Sequence, residues 1–171
     1  MKNKIYLLLL IPFLSFCQKE EAKDESQTEF KNLKQTIAYK ALEEVDENLL
    51  SLDVYFTSQT ELKKPIILWV HGGAWTIGDK DNSIDDKVAL FQSNHYLFIS
   101  MNYRLSPLPF QINNPDRVKY PDHNNDVADA ILWIYNHIAN YGGDPEKIVL
   151  LGHSAGAHLV SLTGTNSEFL E

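Results

Sequence analysis

Beyond the N-terminal segment, three short runs of this chain are nearly continuously apolar, at positions 66–70, 96–101 and 148–151. Each run is followed at once by histidine, asparagine or glycine. Short apolar runs bounded by polar or turn-forming residues are typical of strands that are buried on both faces of a parallel sheet. We therefore predict three parallel strands at the centre of the fold.

Two earlier segments, 37–42 and 50–56, alternate loosely between apolar and polar residues, which predicts an antiparallel pair of strands at a sheet edge. Helical spacing is predicted over 82–93, 122–140 and 155–163. The buried stripe of the second helix is predicted to contain Val127, Ala130, Ile131, Ile134 and Ile138. Strands that alternate with helices favour an α/β sheet, mostly parallel, with helices on both faces.

The N-terminus has a different pattern. Lys2 and Lys4 precede an apolar run that ends at Cys17, and such a run is too short to span a bilayer. It resembles a bacterial lipoprotein signal, cleaved before a lipidated cysteine, although Phe16 replaces the small residue typical there. We predict a signal peptide over 1–16 and a lipid anchor on Cys17 in the periplasm or outer membrane. An ordinary secretory signal is the alternative.

Residues 17–35 are almost all polar or charged, so we predict a flexible tether, with a charged helix as the alternative. The folded domain is predicted over 36–171. The whole chain has 171 residues, of which 44% are apolar, enough for one domain with a core. Its formal net charge is -8 and it has no basic block, which argues against nucleic acid as a partner. No spacing of His and carboxylate residues indicates a metal site, and no cofactor is expected.

The last apolar run leads into Gly-x-Ser-x-Gly, from Gly152 to Gly156, and then into a helix. In that context Ser154 is predicted to sit on a sharp strand-to-helix turn as a nucleophile. His153 is predicted to point away from Ser154. The alternative is a plain glycine turn in which Ser154 caps the helix.

A second motif, His-Gly-Gly-Ala-Trp at 71–75, follows the first apolar run. Consecutive glycines allow backbone N–H groups to point at an anion, such as the oxygen of a tetrahedral intermediate. The predicted oxyanion donors are the N–H groups of Gly72, Gly73, Ala74 and Ala155. His71 is expected to order this loop by hydrogen bonds, and Trp75 either lines an acyl pocket or packs beside the loop. Both motifs follow parallel strands, so they should meet at one edge of the sheet.

Together these motifs resemble the α/β-hydrolase superfamily, specifically the esterase branch related to hormone-sensitive lipase. They are similar to those of kynurenine formamidases and feruloyl or acetyl-xylan esterase-like enzymes. Asn-Tyr-Arg-Leu-Ser-Pro at 102–107 and Gly-Gly-Asp-Pro at 142–145 match family positions as well. The resemblance implies a serine hydrolase that acts on a small-molecule or polysaccharide-linked carboxylic ester. Formamide hydrolysis is one alternative, and an inactive fragment or non-catalytic binding protein is another.

In this superfamily the acid and the histidine of the triad follow the serine. Only residues 155–171 follow Ser154, and they contain no Asp and one histidine, His158. The resemblance therefore implies the N-terminal portion of the fold, with a sheet truncated after the serine turn and a chain that is inactive by itself. We expect strand 148–151 to have a neighbour on one side only, which leaves an apolar edge.

The remaining candidates for acid–base chemistry are expected to be structural. His158 is expected to pack between helix and sheet. Arg104 is expected to form a structural ion pair, and Asp126 to hydrogen-bond to the neighbouring loop. The other histidines are expected at the surface or at helix ends: His95, His123 and His137.

Overall fold

The computed structural model describes residues 31–58, 63–108 and 113–170. The predicted signal peptide and Cys17 lie outside the described residues, as does the tether as far as residue 30. The described elements are β1 (Asn32–Ala38), β2 (Ser51–Thr57), β3 (Lys64–Val70), α1 (Asp85–Ser93), β4 (Leu97–Met101), α2 (Asp122–His137), β5 (Gly143–Gly152) and α3 (Ala155–Thr165). Short 3-10 turns at Glu47–Leu50, Ile138–Tyr141 and Ser167–Phe169 complete them.

The five described strands form one sheet in the order β1-β2-β4-β3-β5. β1 pairs antiparallel with β2, and β2 pairs antiparallel with β4. β3 lies between β4 and β5 and is parallel to both. The predicted architecture, an antiparallel edge pair joined to three parallel strands, is therefore confirmed.

The first strand begins earlier than the apolar pattern predicts. β1 covers Asn32–Ala38 rather than 37–42, so the tether prediction is wrong for residues 32–35. Most of β1 is exposed, and only Leu33 and Ile37 are half-buried. Backbone pairing with β2 and the ion pair between Lys34 and Asp53, 2.8 Å long, hold this polar edge strand. Because neither interaction requires alternating apolar residues, the apolar pattern of the sequence does not predict this strand.

Alternate residues of the central strand β3 enter two separate cores. Ile66, Leu68 and Val70 belong to the larger core, with α2 and α3, whereas Ile67 faces a smaller core with α1. Helices on both faces are thus confirmed. The stripe predicted for the second helix is buried apart from Ile131, which is partly buried. Its last member, Ile138, lies in the 3-10 turn that follows α2 rather than in the helix.

The last strand, β5, has β3 as its one neighbour among the described strands. The side chain of Val149 on this edge strand is 44% exposed. The expected apolar edge is confirmed for the described part of the sheet. No helix in the described ranges is long and apolar enough to cross a membrane.

Candidate active site

Ser154 lies on a tight turn between β5 and α3, with φ 52° and ψ -116°. Both flanking glycines are required by close approaches. A β-carbon on Gly152 would lie 2.4 Å from the carbonyl of Gly156, and one on Gly156 would lie 2.2 Å from the carbonyl oxygen of Val70. The predicted strand-to-helix turn is confirmed. The capping alternative is wrong, because the Ser154 side chain makes no capping hydrogen bond to α3.

The loop after β3 turns through three successive residues with positive φ. These are Gly73 at 127°, Ala74 at 51° and Trp75 at 62°. Gly73 has no alternative, since a β-carbon there would overlap the carbonyl oxygen of Ile77 at 1.8 Å. Ala74 and Trp75 hold a conformation that side chains disfavour, and such strain is concentrated at functional sites.

This loop and the serine turn are in contact, as predicted. A β-carbon on Gly72 would lie 2.8 Å from the carbonyl oxygen of His153 and 3.1 Å from Cβ of Ser154. The N–H of His153 donates to the carbonyl of Val70 over 3.2 Å, which ties the two strand ends together. Adjacent parallel strands therefore bring the two motifs to one edge of the sheet.

The predicted oxyanion donors are free to bind an anion. Within the described ranges, no hydrogen-bond acceptor is found for the backbone N–H groups of Gly72, Gly73, Ala74 and Ala155. Ala155 is the first residue of α3, so the helix dipole adds positive potential there. Unpaired N–H groups next to an exposed serine are suited to stabilising negative charge on a substrate oxygen.

His71 orders the loop from inside the protein. Its side chain is buried and stacks on the ring of Tyr103 at a centroid distance of 4.5 Å. Nδ1 of His71 lies 2.7 Å from the carbonyl oxygen of Gly72. A carbonyl only accepts, so Nδ1 carries the proton and donates. Burial lowers the pKa of His71 and favours its neutral form. The expected ordering role is confirmed.

His158 does not pack between helix and sheet, so that expectation is wrong. It is exposed and meets the indole of Trp75 edge-to-face, with ring centroids 5.5 Å apart. The buried face of α3 carries Ala155, Leu159 and Thr163 instead. Because those residues are spaced by one helical turn, position 158 is rotated off the sheet-facing stripe.

A cavity of about 410 Å³ lies beside the loop, and Ala74, Trp75, Ser106, His123 and His158 contribute to its lining. Trp75 also packs against the larger core, whereas its role in an acyl pocket stays a prediction. A second cavity, of about 690 Å³, includes Gly72, Gly73, His71 and His153 in its lining. Ser154 lines neither cavity and is exposed beside them.

Arg104 and Asp126 form the structural ion pair that the sequence suggested. The guanidinium donates to both carboxylate oxygens over 2.8–3.1 Å, and the Arg104 N–H adds a bond of 3.0 Å. Asp126 is fully buried, so its charge requires these donors. Neither residue is free to bind substrate.

His123 is the site-adjacent residue that sequence reasoning missed. It lies at the start of α2, a helix end as expected, but it is buried rather than at the surface. Its Nε2 lies 3.0 Å from Oγ of Ser106, and the N–H of Ser106 donates to the carbonyl of Trp75 over 2.7 Å. This chain of contacts supports the strained loop from the α2 side. No local sequence pattern marks it, since it depends on tertiary packing.

In the part of the chain that the structure describes, Oγ of Ser154 has no hydrogen-bond partner. A general base in contact with the serine is thus not among these residues. No group of three His, Cys, Asp or Glu side chains in the described ranges is arranged to hold a metal ion.

A strained, exposed serine at the carboxyl end of a parallel strand, beside a glycine loop with unpaired N–H groups, is the arrangement of α/β-hydrolases. The sequence profile of the BD-FAE family matches residues 52–171. The chain belongs to the BD-FAE family, among the α/β-hydrolase serine esterases.

Sequence relatives agree with this assignment. The chain is 38% identical over 98 residues to a probable carboxylic ester hydrolase, LipM, of Mycobacterium tuberculosis. It is 36% identical over 105 residues to the esterase LipQ of the same organism. These matches cover 57% and 61% of this chain but 21% and 23% of the relatives. The chain thus spans about a fifth to a quarter of the length of these relatives.

Solved structures show the same fold. Esterase 2 of Thermogutta terrifontis, phosphorylated by paraoxon, matches with a TM-score of 0.59 and 26% identity, over 75% of this chain and 46% of that one. A bifunctional GH43-CE protein of Bacteroides eggerthii matches with a TM-score of 0.62 and 26% identity. That match covers 75% of this chain and 17% of the larger protein.

Proposed function

We propose that this protein hydrolyses carboxylic esters through an acyl-enzyme intermediate on Ser154. The observation that carries the proposal is the contact between the Gly72 loop and the strained, exposed Ser154. The proposal is supported because the loop in contact with Ser154 has unpaired backbone N–H groups. The family assignment supports it, because the matched relatives are described as esterases or ester hydrolases.

In the proposed reaction, Oγ of Ser154 bonds to the acyl carbon, and the carbonyl oxygen becomes an oxyanion. The N–H groups of the Gly72–Ala74 loop and of Ala155 hold that charge. Collapse of the intermediate breaks the bond to the alcohol, which leaves with the proton that the serine lost. Water then bonds to the acyl carbon, the bond to Oγ breaks, and the acid is released while a proton from the water returns to Oγ. The described residues supply the nucleophile and the oxyanion donors, and a group that relays the proton completes the machinery.

The direct test is labelling of the protein with a fluorophosphonate probe, together with hydrolysis of para-nitrophenyl acetate. The Ser154→Ala variant should lose both signals. Ser161→Ala is a matched control, because Ser161 is an exposed serine on the same helix, and it should behave as the unaltered protein. Labelling or turnover that does not exceed the Ser154→Ala level would contradict the proposal.

We also propose that the protein is exported and tethered to the membrane through a lipid on Cys17. The basic start followed by an apolar run up to Cys17 supports this. The net charge of -8 supports a lipid rather than a basic surface as the tether. Metabolic labelling with an alkynyl fatty acid should mark the protein and fail with Cys17→Ala. An unlabelled protein in the soluble fraction would favour ordinary secretion.

A further inference from the structure

The cavity beside Trp75 has two basic residues in its lining, although the chain is acidic overall. Arg117 and Lys119 both contribute to its lining, and none of its described lining residues is Asp or Glu. The chain as a whole has 23 acidic and 15 basic residues. The described lining of the cavity is therefore basic, whereas the protein as a whole is acidic.

These two cations are not neutralised by ion pairs with described residues. Nη1 of Arg117 donates to the carbonyl of Asn114 over 3.2 Å, and Nζ of Lys119 donates to that of Pro115 over 2.8 Å. Both acceptors are neutral backbone groups. These contacts therefore leave the positive charges of Arg117 and Lys119 uncompensated.

Among the described residues, the carboxylates close to this segment form no ion pair with Arg117 or Lys119. Asp116, which precedes Arg117, is exposed. Asp122 accepts from the backbone N–H of Lys119 over 3.0 Å, and its other oxygen lies 3.7 Å from Arg104. Asp126 is bound by Arg104. An incoming anion therefore displaces no ion pair at Arg117 or Lys119 among the described residues.

The cavity is also placed to receive part of a substrate. Ala74 and Trp75 of the oxyanion loop lie on its wall, as does His158, one helical turn beyond Ser154. Trp75, Val118 and Leu159 give it an apolar interior. Its volume of about 410 Å³ fits an organic group of modest size.

We propose that this cavity binds a carboxylate carried by the ester, so that the preferred substrates are anionic esters. This inference rests on the proposed function, because it assigns a substrate class to the same site. The apolar wall contacts the body of the group, and Arg117 and Lys119 hold its charged end. A guanidinium and an ammonium together match the two oxygens of a carboxylate. The carboxylate belongs to either the acyl or the alcohol part of the ester.

Matched ester pairs separate these two sources. For the acyl side, para-nitrophenyl hemiglutarate is compared with para-nitrophenyl valerate, which has the same chain length without the charge. For the alcohol side, para-acetoxybenzoate is compared with para-acetoxybenzamide. The charged member of one pair should have the higher kcat/KM, by about 10- to 100-fold, as expected for charge-assisted hydrogen bonds.

The double variant Arg117→Gln/Lys119→Gln should abolish that preference, because the kcat/KM of the charged ester falls to about that of its neutral partner. Lys147→Gln is the control cation, since Lys147 is an exposed lysine in the middle of β5 and does not line the cavity. Circular dichroism melts establish that all variants are folded. A preference that is absent from both pairs, or that survives in the double variant, overturns the inference while ester hydrolysis stands.

Calorimetric binding of the same charged esters to Ser154→Ala gives a second readout, independent of turnover. Binding that disappears in the triple variant with Arg117→Gln and Lys119→Gln supports the anion site. If no ester is hydrolysed but this binding is seen, the proposed function fails and the anion site stands. If charged and neutral esters bind equally, the anion site fails.

Discussion

The Cβ atom of Ser154 lies 3.1 Å from the point that a β-carbon on Gly72 would occupy. This closeness brings a loop from β3 against the turn after β5, although about eighty residues separate them in the chain. The position of the oxyanion donors relative to the serine therefore depends on the absence of a side chain at residue 72.

Gly72→Ala should disable the site more than it destabilises the fold. The added methyl would press on His153 and Ser154 and move the loop, which should lower kcat/KM by about 100-fold. The overpacking should reduce the free energy of unfolding by about 1–3 kcal/mol. Gly164→Ala is the control, because a β-carbon there meets nothing closer than 3.7 Å. In helix α3 that change should stabilise by about 1 kcal/mol. Equal activity in both variants would contradict this prediction.

Ser154→Gly should be more stable than Ser154→Ala, although both lose labelling by a fluorophosphonate. Residue 154 has φ 52° and ψ -116°, which glycine adopts without strain and alanine does not. Relief of that strain should raise the free energy of unfolding by about 1 kcal/mol, measured by urea denaturation. Indistinguishable midpoints for the two variants would show that the turn stores no strain.

Arg104→Met should destabilise the protein by about 3–5 kcal/mol, because it leaves the buried charge of Asp126 without its partner. The double variant Arg104→Met/Asp126→Leu should recover part of that loss. Lys40→Met provides a comparison, since it breaks a more exposed pair with Asp129 and should cost less than about 1 kcal/mol. Urea denaturation measures all three, and a small effect of Arg104→Met would refute the structural role.

The stability of the protein should fall as the pH drops from 7 to 5. Burial lowers the pKa values of His71 and His123 in the folded state. The unfolded chain therefore binds more protons once the pH falls through the ordinary value of about 6.5. The contribution of these histidines is complete above that value and is lost below it. Urea denaturation at several pH values measures the slope.

Two variants test whether the buried histidines cause this dependence of stability on pH. His123→Gln should reduce the dependence on pH, because it removes one of the two buried imidazoles. His137→Gln, at the exposed end of α2, should leave it unchanged. The explanation fails if the slope is identical in the protein and in His123→Gln.

Most of the fold follows from local pattern. The apolar runs around Ile67 and Phe98 mark β3 and β4, since strands covered on both faces are apolar at nearly every position. The run around Leu150 marks β5, although part of that strand is exposed. The polar strand β1 escapes such an analysis, because backbone pairing and the Lys34–Asp53 ion pair hold it. The prediction that His158 packs between helix and sheet is wrong for a similar reason. The face of α3 that is buried depends on the neighbours against which the helix packs.

The sequence by itself determined where the serine turn and the Gly72 loop lie. Both contain close backbone approaches or positive φ angles, which glycine adopts most readily, so their glycine motifs are visible in the sequence. Only the tertiary structure decided what surrounds them. In it His123 is buried and contacts Ser106, and Arg104 forms an ion pair with Asp126. These contacts join residues that are distant in the chain, and their energies depend on burial and orientation that no local pattern encodes.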